Sequence, residues 1–192
     1  MNITEDILLQ LITKYKEDIA SIKNLITRSG GISPLDAIVL YCLVRELNPR
    51  KVVEFSPHKG YSTCVIASAM KHMNKPGCFA TFERPIAKIL NPLNQGIKDQ
   101  ELKDYIDIIV GDALVNIPLY LEANNWQDVD FCFVDSDHSE AFAKKYIDGI
   151  FPLLDSNATI AVHDISAVDL KDHIKFCTSL FPDPGNLGDQ AE

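Results

Sequence analysis

The fold of this chain is decided by residues 52–70, which read VVEFSPHKGYSTCVIASAM. The stretch begins as an apolar strand, is broken at Pro57 and Gly60, and continues as a helix that Ser62 is placed to cap. In α/β proteins such a strand, turn and helix hold nucleotide-like ligands, because the turn lets the ligand approach the backbone and the helix offers unpaired N–H groups. Glu54, near the end of the strand, would repel a pyrophosphate but suits a ligand that carries positive charge and hydroxyl groups.

Strands and helices alternate from this stretch to residue 165. We expect strands at 51–55, 78–82, 106–110, 129–134 and 158–162, and helices at 62–70, 85–93, 113–122 and 139–154. Unbroken apolar strands alternating with helices predict an α/β fold, with a mostly parallel sheet covered by helices on both faces. Right-handed crossovers place the carboxyl ends of parallel strands at one edge of the sheet, where such folds bind ligands. Five acidic residues are expected along that edge: Glu54, Glu83, Asp112, Asp135 and Asp164.

Two lead-in helices precede the sheet. The first begins at the capping residue Thr4, carries apolar residues at helical spacing as far as Ile26, and is stopped by glycines at 30 and 31. The second is capped by Ser33 and ends near Asn48. After the fifth strand, one more helix is predicted at 168–180. We expect a single domain, 1–192, with N-terminal helices (1–49), a cofactor-binding core (50–165) and a C-terminal helix and tail (166–192), and with further C-terminal strands missing or unrecognised.

Charge and composition narrow the class of partner. The 192 residues include 18 basic and 27 acidic side chains, a net charge of −9, which disfavours nucleic acid because phosphate binding depends on basic patches. No apolar run approaches the roughly 20 residues of a membrane span, and the first residues lack the pattern of a signal peptide. The five scattered cysteines are typical of reduced thiols, so we expect a cytoplasmic protein that acts on a small molecule. The Ile- and Leu-rich first helix would allow a homodimer.

The acids at the sheet edge indicate one kind of cofactor. An acid beside the glycine turn can hold a ligand's amine, and Glu83, after the second strand, is placed to accept hydrogen bonds from two ribose hydroxyls. Asp112, or the backbone after it, could hold the edge of an adenine. An adenosine-type cofactor with an ammonium group and a sulfonium would suit all three acids. Each acid taken singly could instead be a solvated loop residue or a helix cap.

Six short motifs together resemble one known family. They read VEF at 53–55, GYS at 60–62, FE at 82–83, VGD at 110–112, VDSDHS at 134–139 and IAVHD at 160–164. In this order and spacing they resemble the class I S-adenosylmethionine-dependent methyltransferases, in particular the catechol O-methyltransferase-like group that acts on small molecules. The resemblance covers roughly residues 52–165. It implies a Rossmann-like three-layer sandwich and transfer of a methyl group from S-adenosylmethionine to a hydroxyl of a small molecule.

The resemblance also assigns cofactor contacts to individual residues. Glu54 and Gly60 are placed at the methionine end of S-adenosylmethionine, and Ser56, Tyr61 and Ser62 are further expected cofactor contacts in the same turn. Tyr61 could instead be a packing residue. Glu83 is placed on the ribose, Asp112 near the adenine, and Asp135 beside the cofactor at the end of the fourth strand.

A catalytic pair and a metal are implied in the same way. His138 occupies the position of the basic residue that deprotonates the substrate hydroxyl, and Asp135 matches the first metal-binding acid, with Asp164 as the second. Ile165 stands where the family has its third ligand, an asparagine, but two carboxylates with water and substrate oxygens could still hold Mg²⁺. His138 could instead be an ordinary histidine at a helix start, hydrogen-bonded to a neighbouring carboxylate.

Two other functions stay open on the sequence alone. Ser56 replaces the family's first glycine, which together with Ile165 is compatible with a non-catalytic S-adenosylmethionine-binding module or partner subunit. An NAD-dependent oxidoreductase also uses a strand-end acid for ribose, but this turn lacks the G-x-G-x-x-G pattern and has an acid too early.

Overall fold

The structure is a computed structural model that describes residues 5–26, 32–86, 90, 93–95, 97–98, 101–137 and 139–163. His138, Asp164 and the predicted helix at 168–180 lie outside the described residues, as does most of the predicted helix at 85–93. The expectation of missing C-terminal strands concerns the same undescribed part of the chain.

Five described strands form one parallel sheet, as predicted. They are β1 (Val52–Phe55), β2 (Phe79–Glu83), β3 (Asp107–Val110), β4 (Phe131–Val134) and β5 (Thr159–Val162). Their order across the sheet is β3-β2-β1-β4-β5, and every neighbouring pair is parallel. The chain therefore runs outward from β1 to β3, then returns to β4 on the other side of β1. This reversal creates a crevice at the carboxyl ends of β1 and β4, where open α/β sheets bind ligands.

Helices cover both faces of this sheet. They are α1 (Glu5–Lys14), α2 (Lys16–Ser21), α3 (Lys23–Ile26), α4 (Pro34–Leu47), α5 (Tyr61–His72), α6 (Ala113–Ala123) and α7 (Glu140–Gly149). Successive β1 side chains alternate between two cores: Val52 packs with α1–α5, whereas Val53 and Phe55 pack with α6 and α7. Both cores are apolar, which confirms the three-layer, Rossmann-like arrangement expected from the strand pattern.

The first predicted helix is divided into three. The chain leaves helical geometry at Tyr15 (φ −106°, ψ 18°) and again at Ile22 (φ −105°, ψ 14°). Both side chains are buried, and each bend allows the next helical segment to follow the surface of the sheet-side core. Most apolar residues of α1–α3 are buried within the chain, whereas Leu9 on α1 is exposed, and the homodimer stays a prediction.

The helix predicted at 139–154 is shorter than expected. Helix α7 ends at Gly149 and is followed by a single 3₁₀ turn, Phe151–Leu153. Pro152 explains the end of the helix, because proline lacks the N–H that a further helical turn would use. Among the described residues, no helix combines the length and the apolar character needed to cross a membrane.

A polar network holds α4 against its neighbours. The Arg45 guanidinium pairs with Asp18 on α2 and donates to the Tyr41 hydroxyl (Nη1–Oη 2.7 Å). The Tyr41 hydroxyl lies 2.6 Å from His72 Nδ1 at the end of α5. Since Tyr41 already accepts from Arg45, its own hydrogen is directed to His72. Burial lowers the pKa of His72, which favours the neutral ring that this contact requires.

Candidate functional site

One cavity opens at the carboxyl edge of the sheet. Its volume is about 680 Å³, within the range of small-molecule and cofactor sites. Residues from the loops after β1, β2, β3 and β4 line it, together with Ile32 from the N-terminal segment and His163 after β5. The acidic lining residues are Glu83, Asp112, Asp135 and Asp137, and the basic ones are Lys59 and Arg84. The topology therefore brings together acids that are far apart in the chain, as the sequence predicted.

The turn after β1 has an unusual backbone. Ser56, His58 and Gly60 all have positive φ angles, of 55°, 48° and 80°. Positive φ favours glycine, so Ser56 keeps the conformation of the glycine that it replaces, at a cost of order 1 kcal/mol. The Ser56 hydroxyl lies 3.1 Å from that of Ser136, which links the loop after β1 to the loop after β4. Ser56 lines the cavity, and its contact with a cofactor stays a prediction.

Gly60 is constrained by space as well as by its backbone angle. A Cβ atom at this position would lie 3.1 Å from the Leu93 Cα and would collide with the Leu93 side chain. Gly60 also caps α5, so the predicted cap at Ser62 is wrong by two residues. Because α5 starts early, Tyr61 and Ser62 fall in its first turn, where backbone N–H groups have no partners inside the helix, and both residues line the cavity.

Glu54 is fully buried and is not among the residues that line the cavity, so the contact with the cofactor expected for it stays a prediction. The residue lies inside β1, opposite Thr81 of β2, and its side chain is fully buried. Its carboxylate accepts hydrogen bonds from Ser62 Oγ (2.7 Å), Thr63 Oγ1 (2.6 Å) and Thr81 Oγ1 (2.7 Å). Side chains alternate along a strand, and this one points beneath the first turn of α5 instead of beyond the strand end. These hydrogen bonds hold the first turn of α5, which follows the glycine turn, against β1.

The environment of Glu54 also changes its acidity. Burial raises the pKa of the Glu54 carboxyl to about 7, and the three hydroxyl donors oppose part of this rise. Within the described part of the chain Glu54 has no cationic partner, and such a buried carboxylate is costly to ionise because the protein interior solvates charge poorly.

Glu83 is held in a fixed orientation at the floor of the cavity. It is 3% exposed, and each carboxylate oxygen accepts one backbone N–H: Oε2 from His58 (2.9 Å) and Oε1 from Arg84 (2.7 Å). Each carboxylate oxygen has a second lone pair, so the group can accept two further hydrogen bonds from neighbouring hydroxyls. This arrangement fits a ribose with adjacent hydroxyl groups.

Asp112 is placed at the cavity, but its carboxylate also has a structural role. Its Oδ1 accepts the Leu114 N–H (2.9 Å) as the N-cap of α6. The cap interpretation that the sequence left open is therefore observed, and it does not conflict with a position beside a ligand, because Asp112 also lines the cavity.

The loop after β4 presents Asp135, Ser136 and Asp137 to the cavity. His163 faces Asp135 across the β4–β5 pair, with 3.4 Å between His163 Nδ1 and Asp135 Oδ1. The other ring nitrogen, Nε2, is 3.4 Å from Oδ2 of Asp36 on α4. The imidazole lowers the pKa of Asp36. Sequence reasoning missed Asp36, for which the only signal was the S-x-x-D cap pattern that begins at Ser33.

The proposed metal ligands are only partly described. Among the described residues, no group of three or more His, Cys, Asp or Glu side chains could hold a metal ion. Asp164, the second predicted ligand, lies outside those residues, so the Mg²⁺ site stays a prediction. For an adenosyl cofactor the fit is better, because the cavity has sufficient volume and offers a buried, oriented carboxylate at its floor.

The sheet order and the cavity at the carboxyl ends of the strands define a Rossmann-like domain with an open cavity at its switch point. Residues 53–165 match a family model described as "Methyltransferase domain". This match covers more than half of the chain, so the chain belongs to the methyltransferase-domain family. No curated protein sequence matches the chain significantly.

Solved structures share the fold at low sequence identity. Similar structures include the S-adenosylhomocysteine-bound methyltransferase PaMTH1 from Podospora anserina, 18% identical, with 96% of this chain and 90% of the other covered and a TM-score of 0.58. The O-methyltransferase TomG from Streptomyces achromogenes, in complex with S-adenosylmethionine, is 18% identical, with 97% and 74% covered and a TM-score of 0.59. The TDP-rhamnose 3′-O-methyltransferase CalS11 is 17% identical, with 93% and 86% covered and a TM-score of 0.58.

Proposed function

We propose that this protein is an S-adenosylmethionine-dependent methyltransferase that methylates a hydroxyl of a small molecule. The observation that carries the proposal is Glu83, a buried carboxylate that is held by two backbone N–H groups at the floor of the cavity. Membership of the methyltransferase-domain family supports it, as does the binding of S-adenosylmethionine and S-adenosylhomocysteine by TomG and PaMTH1.

Glu83 and the residues around it would each contact a different part of S-adenosylmethionine. Glu83 accepts hydrogen bonds from the two ribose hydroxyls, and Asp112 lies on the adenine side. The first turn of α5, with Gly60, Tyr61 and Ser62, would hold the methionine carboxylate, because helix N-termini attract anions. When bound, S-adenosylmethionine supplies a methyl group on a cationic sulfur. The acidic lining of the cavity complements that positive charge.

The acceptor would enter beside the loop after β4. Ile32 and Phe142 give this cavity apolar lining next to the acidic groups. In an enzyme of this class the protein aligns the acceptor oxygen and removes its proton. We assign proton removal to His138, from its position in the VDSDHS motif, and orientation of the acceptor hydroxyl to Asp135. Asp135 and Asp164 would be the carboxylate ligands if Mg²⁺ takes part.

Binding calorimetry with S-adenosylhomocysteine tests the cofactor part of the proposal. We expect the wild-type protein to bind it, and Glu83→Gln to weaken binding by roughly tenfold to a hundredfold, since charged acceptors contribute about 1.5–3 kcal/mol per hydrogen bond. The matched control is Glu101→Gln, an exposed carboxyl paired with Lys71, which should bind like wild type. Equal affinity of Glu83→Gln and wild type, or preferential binding of NAD, would refute the assignment.

Methyl transfer is tested with labelled S-adenosylmethionine and a panel of hydroxylated acceptors, including catechols, phenols and sugars. His138→Ala and Asp135→Ala should each lower turnover by about a hundredfold or more while the affinity for S-adenosylhomocysteine changes little for His138→Ala. If a wild-type protein that binds the donor labels none of these acceptors, the non-catalytic binding module is the better interpretation.

A further inference from the structure

Helix α4 contacts a residue of the cavity lining through the side chain of Asp36. Asp36, in the first turn of α4, contacts His163, which follows β5 and lines the cavity, although 127 residues separate the two in sequence. Asp36 lies outside residues 53–165, the part of the chain matched by the family model. The contact therefore joins α4 to a cavity that is lined mainly by residues at the carboxyl ends of the strands.

The Asp36 carboxylate is held in place at its own end. Ser33 Oγ donates to Asp36 Oδ2 (2.6 Å), and the Asp36 N–H donates back to Ser33 Oγ (3.2 Å). This reciprocal cap ties the carboxylate to the start of α4, which leaves it little freedom to turn away from the cavity.

His163 is fixed from several directions. Its backbone N–H donates to the Val134 carbonyl at the end of β4 (2.9 Å), and its side chain is 18% exposed. The ring lies against Phe133, with 6.5 Å between ring centroids. Its two nitrogens face two carboxylates, with Nε2 at 3.4 Å from Asp36 Oδ2 and Nδ1 at 3.4 Å from Asp135 Oδ1. The imidazole thus stands between the first turn of α4 and a proposed site residue.

We propose that Asp36 is a positioning residue that acts through His163 on Asp135. Asp36 accepts the hydrogen on His163 Nε2, which fixes the plane of the ring and so presents Nδ1 to the Asp135 carboxylate. In a histidine, the hydrogen-bond partner of one ring nitrogen commonly fixes the orientation of the ring. It thereby determines which functional group the other ring nitrogen contacts. The Nε2–Asp36 contact is a long hydrogen bond, whereas Nδ1 and Asp135 Oδ1 lie 3.4 Å apart without hydrogen-bond geometry. The methyl-transfer consequence of this arrangement rests on the function proposed above.

Three variants separate positioning from a general effect on folding. Asp36→Ala removes the acceptor, whereas Asp36→Asn keeps an acceptor oxygen at the same place without charge. Glu46→Ala is the matched control: it lies on the same helix and loses its contacts with Lys14 Nζ (2.6 Å) and Tyr15 Oη (2.9 Å), far from the cavity. Asp36→Ala should lower kcat about tenfold, while the KM for the methyl donor changes less than about twofold. Asp36→Asn should recover most of the lost kcat. Glu46→Ala should have the kcat and KM of the wild type.

A spectroscopic readout tests the same contact without any turnover. Long-range ¹H–¹⁵N correlation spectra, with His163 assigned from His163→Gln, should show a hydrogen on Nε2 in the wild type and a changed Nε2 signal in Asp36→Ala but not in Glu46→Ala. An identical His163 signal in wild type and Asp36→Ala overturns the inference, as does equal kcat in Asp36→Ala and Glu46→Ala. If the wild type transfers no methyl group, the proposed function fails, and the His163 signal alone decides the inference.

Discussion

Replacing Glu54 by glutamine should change how the stability of the protein depends on pH. Glu54 is fully buried and is solvated only by three hydroxyl donors among the described residues. Folding raises the pKa of this carboxyl from 4.5 to about 7, mainly through burial. Between these two values the folded protein holds a proton that the unfolded chain releases. The contribution of the Glu54 carboxyl to the unfolding free energy is therefore fully present below pH 4.5 and is lost as the pH rises through 7.

The size of the effect follows from the same values. Each pH unit in this window is worth about 1.4 kcal/mol, so the wild type should lose on the order of 3 kcal/mol of unfolding free energy from Glu54. Glu54→Gln cannot ionise and should not show this loss. The unfolding free energy of Glu54→Gln minus that of the wild type should therefore be lowest near pH 4.5. This difference should rise by on the order of 3 kcal/mol by pH 8.

Urea unfolding followed by the fluorescence of the single tryptophan, Trp126, measures this difference at pH 5, 6, 7 and 8. Thr81→Val is an informative companion, because it removes one of the hydrogen bonds that oppose the rise in the Glu54 pKa and should extend the decline to higher pH. A constant difference between wild type and Glu54→Gln across this range would show that Glu54 does not titrate as its burial implies.

Three further predictions concern the turn and the N-terminal helices. Gly60→Ala should cost about 2–4 kcal/mol of unfolding free energy, since the new Cβ combines a strained φ with a collision against Leu93; a loss below about 0.5 kcal/mol in urea would contradict the geometry. Ser56→Gly should be neutral or stabilising by up to about 1 kcal/mol, because φ 55° suits glycine, and a clear loss of thermal stability would mean that the contact with Ser136 matters more. Tyr41→Phe should destabilise by about 0.5–1.5 kcal/mol, because the fully buried Tyr41 loses its hydrogen bonds with His72 Nδ1 and Arg45, and unchanged urea unfolding would refute that role.

The sequence predicted the sheet well for a physical reason. Short apolar segments bounded by glycine, proline and acidic residues can be predicted as strands from the local sequence alone. The observed bounds of β1, β2 and β5 lie within one residue of the expected ones. Helix α4 was equally clear, because Ser33 and Pro34 mark its start and Asn48 ends it in the left-handed conformation. Features that depend on packing were not predictable in this way, as the two bends in the first helix show.

The site was predicted in part. Glu83 is the last residue of β2 and lines the cavity, as expected of an acid at the carboxyl end of a parallel strand. Glu54 was expected at the strand end, but it lies one residue before the end of β1 and is buried beneath the first turn of α5, a contact that depends on how α5 packs on the strand. Asp36 could not be found, since its partner His163 lies 127 residues away and only the closed fold brings them together.

The most direct test of the central claim is a crystal structure of the protein with S-adenosylhomocysteine. We predict the ligand in the cavity at the carboxyl ends of β1 and β4, with both ribose hydroxyls within about 3 Å of the Glu83 carboxylate oxygens. Ribose density away from Glu83, or a ligand bound outside this cavity, would contradict the account.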